Sequence, residues 1–201
     1  MKLYYAPAAC SQAPHIAARE AGLPIELVKV EFPSKTTADG ESLYDVNPKG
    51  AVPALKLDSG DVLTENAVIL QYIADQAPDS GLALPPGGIE RYRLLEWLNF
   101  IATELHKGFG PLWNPATPEE YKATTREALG KKFDYLEAQI GDGPYILGDN
   151  FSILDAYAFA VLNWTRIHKI DINRWPGLAA YLARVAERPA VQETLRAEGL
   201  A

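Results

Sequence analysis

The chain has 201 residues, 48% of them hydrophobic and 22% charged. This composition is typical of a globular protein and excludes a disordered chain, and the length is sufficient for the core of one large domain or two small ones. Its net charge of -7, without a run of Lys or Arg, argues against a nucleic-acid partner, because phosphate backbones attract basic surfaces. The sequence lacks both a signal peptide and the roughly 20 consecutive apolar residues of a membrane span, so we expect a cytoplasmic protein with no membrane partner.

Short β-type runs alternate with amphipathic stretches through residues 1–78. The run KLYY predicts a strand, residues 12–21 predict a helix that Gly22 ends, and IELVKV predicts a second strand. The segment VPALKLDSGDVLT predicts a hairpin with its turn at residues 58–60. A helix follows over residues 65–76.

The pattern changes at residues 79–88, where prolines and glycines indicate a linker. Residues 89–201 show helical periodicity and no convincing strand. Within them, Ser152 and Asp155 have the spacing of a capping box that opens a buried helix. The sequence therefore predicts an α/β N-terminal domain over residues 1–78 and an all-α C-terminal domain after the linker.

The single cysteine, Cys10, lies where the first strand passes into the first helix. One cysteine excludes an internal disulfide and a cysteine-based zinc site, and it suits a reducing compartment. The amides and dipole of a helix N-terminus favour a thiolate and would lower the pKa of Cys10. Free cysteines also occur as small buried hydrophobic residues, so the position of Cys10 leaves both interpretations open.

Pro53, in the segment NPKGAVPAL, stands at the start of a predicted strand. If the Val52-Pro53 bond is cis, the backbone of Val52 turns outward and can pair with an extended peptide. The alternative is an ordinary proline at a strand entry.

Glu65 and Asn66 open the helix of the segment LTENAVILQYIAD. The helix start and Asn66 could hold a ligand carboxylate, and Glu65 could hold an ammonium group, which together would suit an amino-acid head group. An acidic first turn that merely complements the helix dipole explains the same residues.

Asn99, Thr103 and His106 share one predicted helix at spacings i, i+4 and i+7, which places them in a polar strip beside an apolar face. Such a strip can line a cleft or simply face water. His15 and His168 do not combine with His106 at any metal-ligand spacing, so we expect no metal site.

These segments together resemble a known family. The strand, the Cys10 loop, NPKGAVPAL and TENAVILQYIAD resemble the glutathione-binding, thioredoxin-like domain of glutathione transferases. Cys10 with Asn99 and His106, the capping box and the closing RPAV resemble the bacterial beta class over essentially the whole chain. The resemblance implies a thioredoxin-like first domain, an all-helical second domain and a homodimer.

The resemblance also implies roles for single residues, with glutathione as co-substrate. Cys10 and His106 would be catalytic, and Asn99 and Thr103 would approach the glutathione thiol with His106. Glu104 would reach the tripeptide bound in the partner subunit. The remaining assignments are Val52 with Pro53 for the cysteinyl unit, Glu65 and Asn66 for the γ-glutamyl head group, and Lys35 for the glycyl carboxylate. Asn66 departs from the smaller residue, often serine, of the family.

We therefore expect a glutathione transferase that conjugates glutathione to small electrophilic, hydrophobic or aromatic substrates in detoxification. Phe109, Trp113 and Trp164 could wall the pocket for the second substrate, although aromatics at these spacings also suit a core. Two alternatives stay open. Cys10 could form a mixed disulfide with glutathione in a thiol reductase or reductive dehalogenase. The fold could also serve as a non-catalytic interaction module, as in stringent starvation proteins that bind RNA polymerase.

Overall fold

The computed structural model describes residues 1–32 and 34–201 of the protein. A mixed sheet covered by helices forms the N-terminal part. Within these residues the strand order is β3-β2-β1-β4-β5. The central strand β1 is parallel to β2 and antiparallel to β4, and both edge strands are antiparallel to their neighbours. The strands are β1 (Lys2–Tyr5), β2 (Glu26–Glu31), β3 (Thr36–Thr37), β4 (Ala54–Lys56) and β5 (Val62–Thr64).

Helices make up most of the remaining structure. Among the described residues, none after β5 belongs to a strand, apart from an isolated bridge between Tyr145 and Gly148. The α-helices are α1 (Gln12–Glu20), α2 (Leu43–Val46), α3 (Asn66–Gln76), α4 (Ile89–Phe100), α5 (Gly110–Trp113), α6 (Glu119–Ile140), α7 (Ile153–Leu162), α8 (Trp164–Ile167), α9 (Pro176–Ala186) and α10 (Pro189–Ala197).

The local signals of the sequence explain these boundaries. Gly22 follows α1 with a φ of +66° and Gly60 turns the β4–β5 hairpin with a φ of +96°, conformations that side chains resist. The capping box also forms, because the Ser152 hydroxyl accepts from the Leu154 amide at 3.2 Å and the Asp155 carboxylate accepts from the Ser152 amide at 2.9 Å. Two short elements, β3 and α2, were not predicted.

Helix α1 connects the sheet to the helical part. It packs on α3 and also contacts α7 and α10, and α7 is buried along its whole length. One continuous apolar core therefore runs from Leu3 and Ile16 to Phe133 and Trp164. None of the described helices combines the length and apolar character needed to cross a bilayer.

Candidate active site

The loop between β1 and α1 presents Cys10 just before the helix begins. Its thiol donates a hydrogen bond to the carbonyl of Val52 at 3.3 Å, and only 8% of the residue is exposed. Burial raises the pKa of Cys10 to about 12, since the amides of Cys10 and Ser11 lower it by less than desolvation raises it. The expected activation by a helix start is therefore outweighed, and the thiol is neutral.

The Val52-Pro53 peptide bond is cis, which satisfies the condition set by the sequence analysis. Val52 lies against Cys10 through the thiol–carbonyl hydrogen bond, and both residues line the same cavity. Two segments that are 42 residues apart in sequence thus meet at one site.

Glu65 and Asn66 sit at the start of α3 but point in different directions. Glu65 has a φ of +71°, unusual for a residue with a side chain, and its exposed carboxylate pairs with Lys49, which lowers the pKa of Glu65. The Asn66 side chain is buried instead and donates to the Cys10 carbonyl at 2.8 Å. This internal bond occupies the amide nitrogen of the side chain, and a ligand contact of Asn66 stays a prediction.

Lys35 follows β2 and lies beside two aromatic rings. Its ammonium donates to the Gly50 carbonyl at 2.8 Å and lies 5.2 Å from the centre of the Tyr44 ring and 5.9 Å from that of Phe32. These contacts hold a cation near the segment that leads to Val52.

The predicted polar strip of Asn99, Thr103 and His106 is wrong as a single face. After α4 the chain continues as a π-helix over Ile101–His106, whose i→i+5 bonds make a wider turn than an α-helix. Asn99 and Thr103 remain on the exposed side, while His106 turns inward and is partly buried. A regular period of 3.6 residues could not predict this change of direction.

Asn99, Thr103 and Glu104 line a groove of about 1030 Å³ between α4, the π-helix and α6. In this chain Glu104 pairs with Lys132 of α6 across the groove. These three residues therefore lie apart from the cavity beside Cys10.

The cavity beside Cys10 has a volume of about 640 Å³ and a mostly apolar lining. Trp113 and Trp164 both line it, with their rings edge to face at 5.4 Å, and their contact with a second substrate stays a prediction. Phe109 does not line it, because it is fully buried and packs edge to face on Trp164. Phe32 and Ile167 complete the wall. As single exposed apolar residues, they carry no signal in the sequence.

His106 contacts a residue that the sequence analysis missed. Its Nδ1 lies 2.7 Å from the hydroxyl of Tyr157, and its ring packs edge to face on Trp164 at 5.0 Å. Burial and, to a smaller extent, the charge of Lys107 together lower the pKa of His106 to about 4. The imidazole is therefore neutral at ordinary pH.

Glu198 is a second residue that the sequence analysis missed. Its buried carboxylate accepts from Nδ1 of His15 at 2.9 Å, from Gln12 at 3.2 Å and from the amide of Ala8 at 3.2 Å. Trp164 donates to the Ala8 carbonyl at 2.9 Å from the other side. The end of the chain thus fixes the loop that carries Cys10, a contact across 190 residues that no local pattern signals.

No cluster of three or more His, Cys, Asp or Glu side chains suited to a metal ion occurs in residues 1–32 and 34–201.

Comparison with known proteins agrees with this architecture. The family model described as "Glutathione S-transferase, N-terminal domain" matches residues 8–76, and "Glutathione S-transferase, C-terminal domain" matches residues 100–189. The chain is 50% identical to glutathione S-transferase GstA of Escherichia coli O157:H7 over 200 residues, covering 100% of both chains.

Solved structures give the same result. The ternary complex of BphK, a bacterial GST, has 52% identity, a TM-score of 0.97 and coverage of 100% of both chains. A sphingomonad glutathione S-transferase complexed with glutathione has 48% identity, a TM-score of 0.96 and the same 100% coverage of both chains. The bacterial beta class glutathione S-transferase of Sphingomonas chungbukensis has 45% identity and a TM-score of 0.96, again covering 100% of both chains. The chain belongs to the glutathione S-transferase family, in its bacterial beta class.

Proposed function

We propose that this protein conjugates the thiol of glutathione to small apolar or aromatic electrophiles. The observation that carries the proposal is the cavity of about 640 Å³ in which Cys10 and Val52 meet the rings of Trp113 and Trp164. A polar peptide site and an apolar wall are thereby joined, as a reaction between a peptide thiol and an apolar acceptor requires.

Glutathione would bind along the line from Lys35 to Glu65. The Val52 backbone would pair with the cysteinyl unit like an added strand. Lys35 would meet the glycyl carboxylate, and the α3 N-terminus at Asn66 would meet the γ-glutamyl carboxylate. Glu65 would take the ammonium group, which its lowered pKa supports by keeping it ionised.

The reaction forms a carbon–sulfur bond. The sulfur of glutathione loses its proton to solvent and attacks the electrophilic carbon, and the leaving group departs with the electron pair of the broken bond. Cys10 would act in this step as a neutral donor toward the sulfur, because its own thiol stays protonated. The dry aromatic wall would exclude water from the attacked carbon.

We also propose a homodimer in which the groove lined by Asn99, Thr103 and Glu104 receives the partner subunit. The groove carries a partly exposed aromatic cluster, in which Trp97 stacks on Tyr135 at 5.8 Å. Such a surface suits an interface better than open solvent.

A cytoplasmic location and a role in detoxification complete the proposal. The unpaired thiol of Cys10 supports the location, because free thiols persist in a reducing compartment.

Binding to immobilised glutathione and conjugation of a chloronitroaromatic acceptor test the proposal directly. Trp113→Ala should raise the KM for the acceptor and leave the KM for glutathione nearly unchanged, because Trp113 lines only the apolar side. Tyr92→Ala is the matched control, since Tyr92 is an exposed aromatic on α4. Absence of both binding and conjugation in the unmodified protein would reject the function.

Cys10→Ser separates conjugation from mixed-disulfide chemistry. The serine hydroxyl can still donate a hydrogen bond, so conjugation should be reduced but persist. A mechanism through a mixed disulfide would lose all activity, because the bond to sulfur could not form. An interaction module without catalysis would show neither activity, and glutathione would not raise its melting temperature.

A further inference from the structure

Phe32 borders both the cavity beside Cys10 and the cation of Lys35. It directly follows β2, and 49% of its surface is exposed. It lines the cavity of about 640 Å³ together with Trp113 and Trp164. The ammonium nitrogen of Lys35 also lies over the Phe32 ring, 5.9 Å from its centre, which is within the range of a cation–π interaction. One side chain therefore serves an apolar wall and a cation at the same time.

The backbone of Lys35 explains why its side chain lies between two aromatic rings. The Lys35 amide donates to the carbonyl of Glu31 at 2.7 Å, and Glu31 directly precedes Phe32. The Lys35 carbonyl accepts from the amide of Leu43 at 2.8 Å, and Leu43 directly precedes Tyr44. These two hydrogen bonds hold Lys35 beside both rings.

Tyr44 differs from Phe32 in its other contacts. Its ring lies against Gly50, where an added side chain would collide with it, and the Gly50 carbonyl accepts from the Lys35 ammonium at 2.8 Å. Phe32 lines the cavity beside Cys10, whereas Tyr44 does not. Of the two rings that contact the Lys35 ammonium, that of Phe32 is therefore the one that also borders the cavity.

We propose that Phe32 serves both substrate sites, as a positioning residue for the Lys35 ammonium that binds the glycyl carboxylate of glutathione and as a wall for the acceptor. The inference rests on the proposed function for the identity of both substrates. An aromatic ring meets the two requirements together, because its π face attracts a cation while its carbon surface is apolar. An aliphatic side chain meets only the second requirement.

Phe32→Leu separates the two roles, because leucine is apolar but has no π face. The Kd of glutathione, measured by isothermal titration calorimetry, should rise about two- to fivefold, the loss expected for an exposed cation–π contact. The KM for a chloronitroaromatic acceptor at saturating glutathione should change by less than about twofold. Phe32→Tyr keeps the ring and should leave both constants close to those of the unmodified protein.

Phe32→Ala removes the ring and the apolar wall together. It should raise the Kd of glutathione by the same factor as Phe32→Leu and the KM for the acceptor about fivefold, because half of the ring surface is buried. Tyr44→Leu is the matched control for the cation and should raise only the Kd of glutathione, whereas Trp113→Ala should raise only the KM for the acceptor. If Phe32→Ala changed one of the two constants alone, the shared role would be wrong.

A double-mutant cycle with Lys35→Met tests whether Phe32 acts on glutathione through the cation. Without the ammonium, Phe32→Leu should not weaken glutathione binding further. Equal effects of Phe32→Leu with and without Lys35 would overturn the proposal. Phe32 and Tyr44 are both exposed, so their replacement should leave the melting temperature nearly unchanged.

The same titrations distinguish this inference from the proposed function. If the unmodified protein failed to bind glutathione, the proposed function would be rejected. If it bound glutathione and Phe32→Leu left the Kd unchanged, only the role of Phe32 would be rejected.

Discussion

Replacing Glu198 by glutamine should destabilise the protein far more than its position near the chain end suggests. The carboxylate accepts three hydrogen bonds, from His15, Gln12 and the amide of Ala8. Arg19 donates to the other nitrogen of His15 at 3.0 Å, so the imidazole must give its single proton to Glu198. A glutamine turns an N–H toward at least one of these donors.

The magnitude follows from burial. The side chains of His15 and Glu198 are both 0% exposed, so a donor left without an acceptor cannot turn to water. At 1–3 kcal/mol for each unsatisfied buried group, Glu198→Gln should cost about 3 kcal/mol of the free energy of unfolding. For a chain of this length that corresponds to a melting temperature lower by roughly 6 to 12 °C.

Thermal unfolding followed by circular dichroism measures the effect, and Glu193→Gln is the matched control. Glu193 lies on α10 and pairs with the same Arg19 at 3.2 Å, but its side chain is 53% exposed. An exposed ion pair contributes about 0–1 kcal/mol, so this variant should unfold close to the unmodified protein. Equal losses in the two variants would refute the argument that burial makes the Glu198 contacts strong.

Three further predictions concern other parts of the structure. Phe109→Ala should lower the free energy of unfolding by about 3–5 kcal/mol in urea titrations, as for a fully buried ring, whereas Trp113→Ala, 47% exposed, should cost clearly less. Ser152→Ala should cost about 1 kcal/mol in the same titrations through loss of the cap of α7, and no loss would argue against that role. Because the pKa of His106 in the folded protein, about 4, lies below the ordinary histidine value of 6.5, the unfolded chain binds the proton first, and stability should fall as pH drops from 6.5 toward 4. His106→Gln should remove this part of the pH dependence of the melting temperature, and an unchanged dependence would contradict the lowered pKa.

Local chemistry made much of the fold predictable. A few consecutive residues are enough to indicate strand β1, the end of α1 at Gly22 and the hairpin turn at Gly60. Strand β3 has two residues and α2 has four, so neither completes a period that a pattern could reveal. Their existence depends on pairing with β2 and on the Ser42 cap.

The site was less predictable because its decisive contacts are long-range. Cys10 and Val52 were expected together, and the structure joins them, but the side chain of Asn66 turns inward to Cys10. Tyr157 lies in a helix that is buried along its whole length and mostly apolar, so its sequence context indicates only a core residue. Glu198 contacts Ala8 from 190 residues away in sequence, so no local pattern could indicate the contact.

The groups nearest the expected sulfur are neutral, and this determines how the reaction should respond to pH. The thiol of Cys10 has a pKa of about 12 and the imidazole of His106 a pKa of about 4, so neither titrates across the neutral range. Lys107 lowers the pKa of Cys10 and Glu65 raises it, so these two charges act on the thiol in opposite directions. A ligand thiolate would therefore be stabilised by S–H and N–H donors that keep their protons while the ligand itself ionises. The rate of conjugation should then rise with a single ionisation, that of the bound glutathione thiol, and level off at higher pH. A second limb in the neutral range of the kcat profile would show that an enzyme group titrates there and would refute this account of a neutral site.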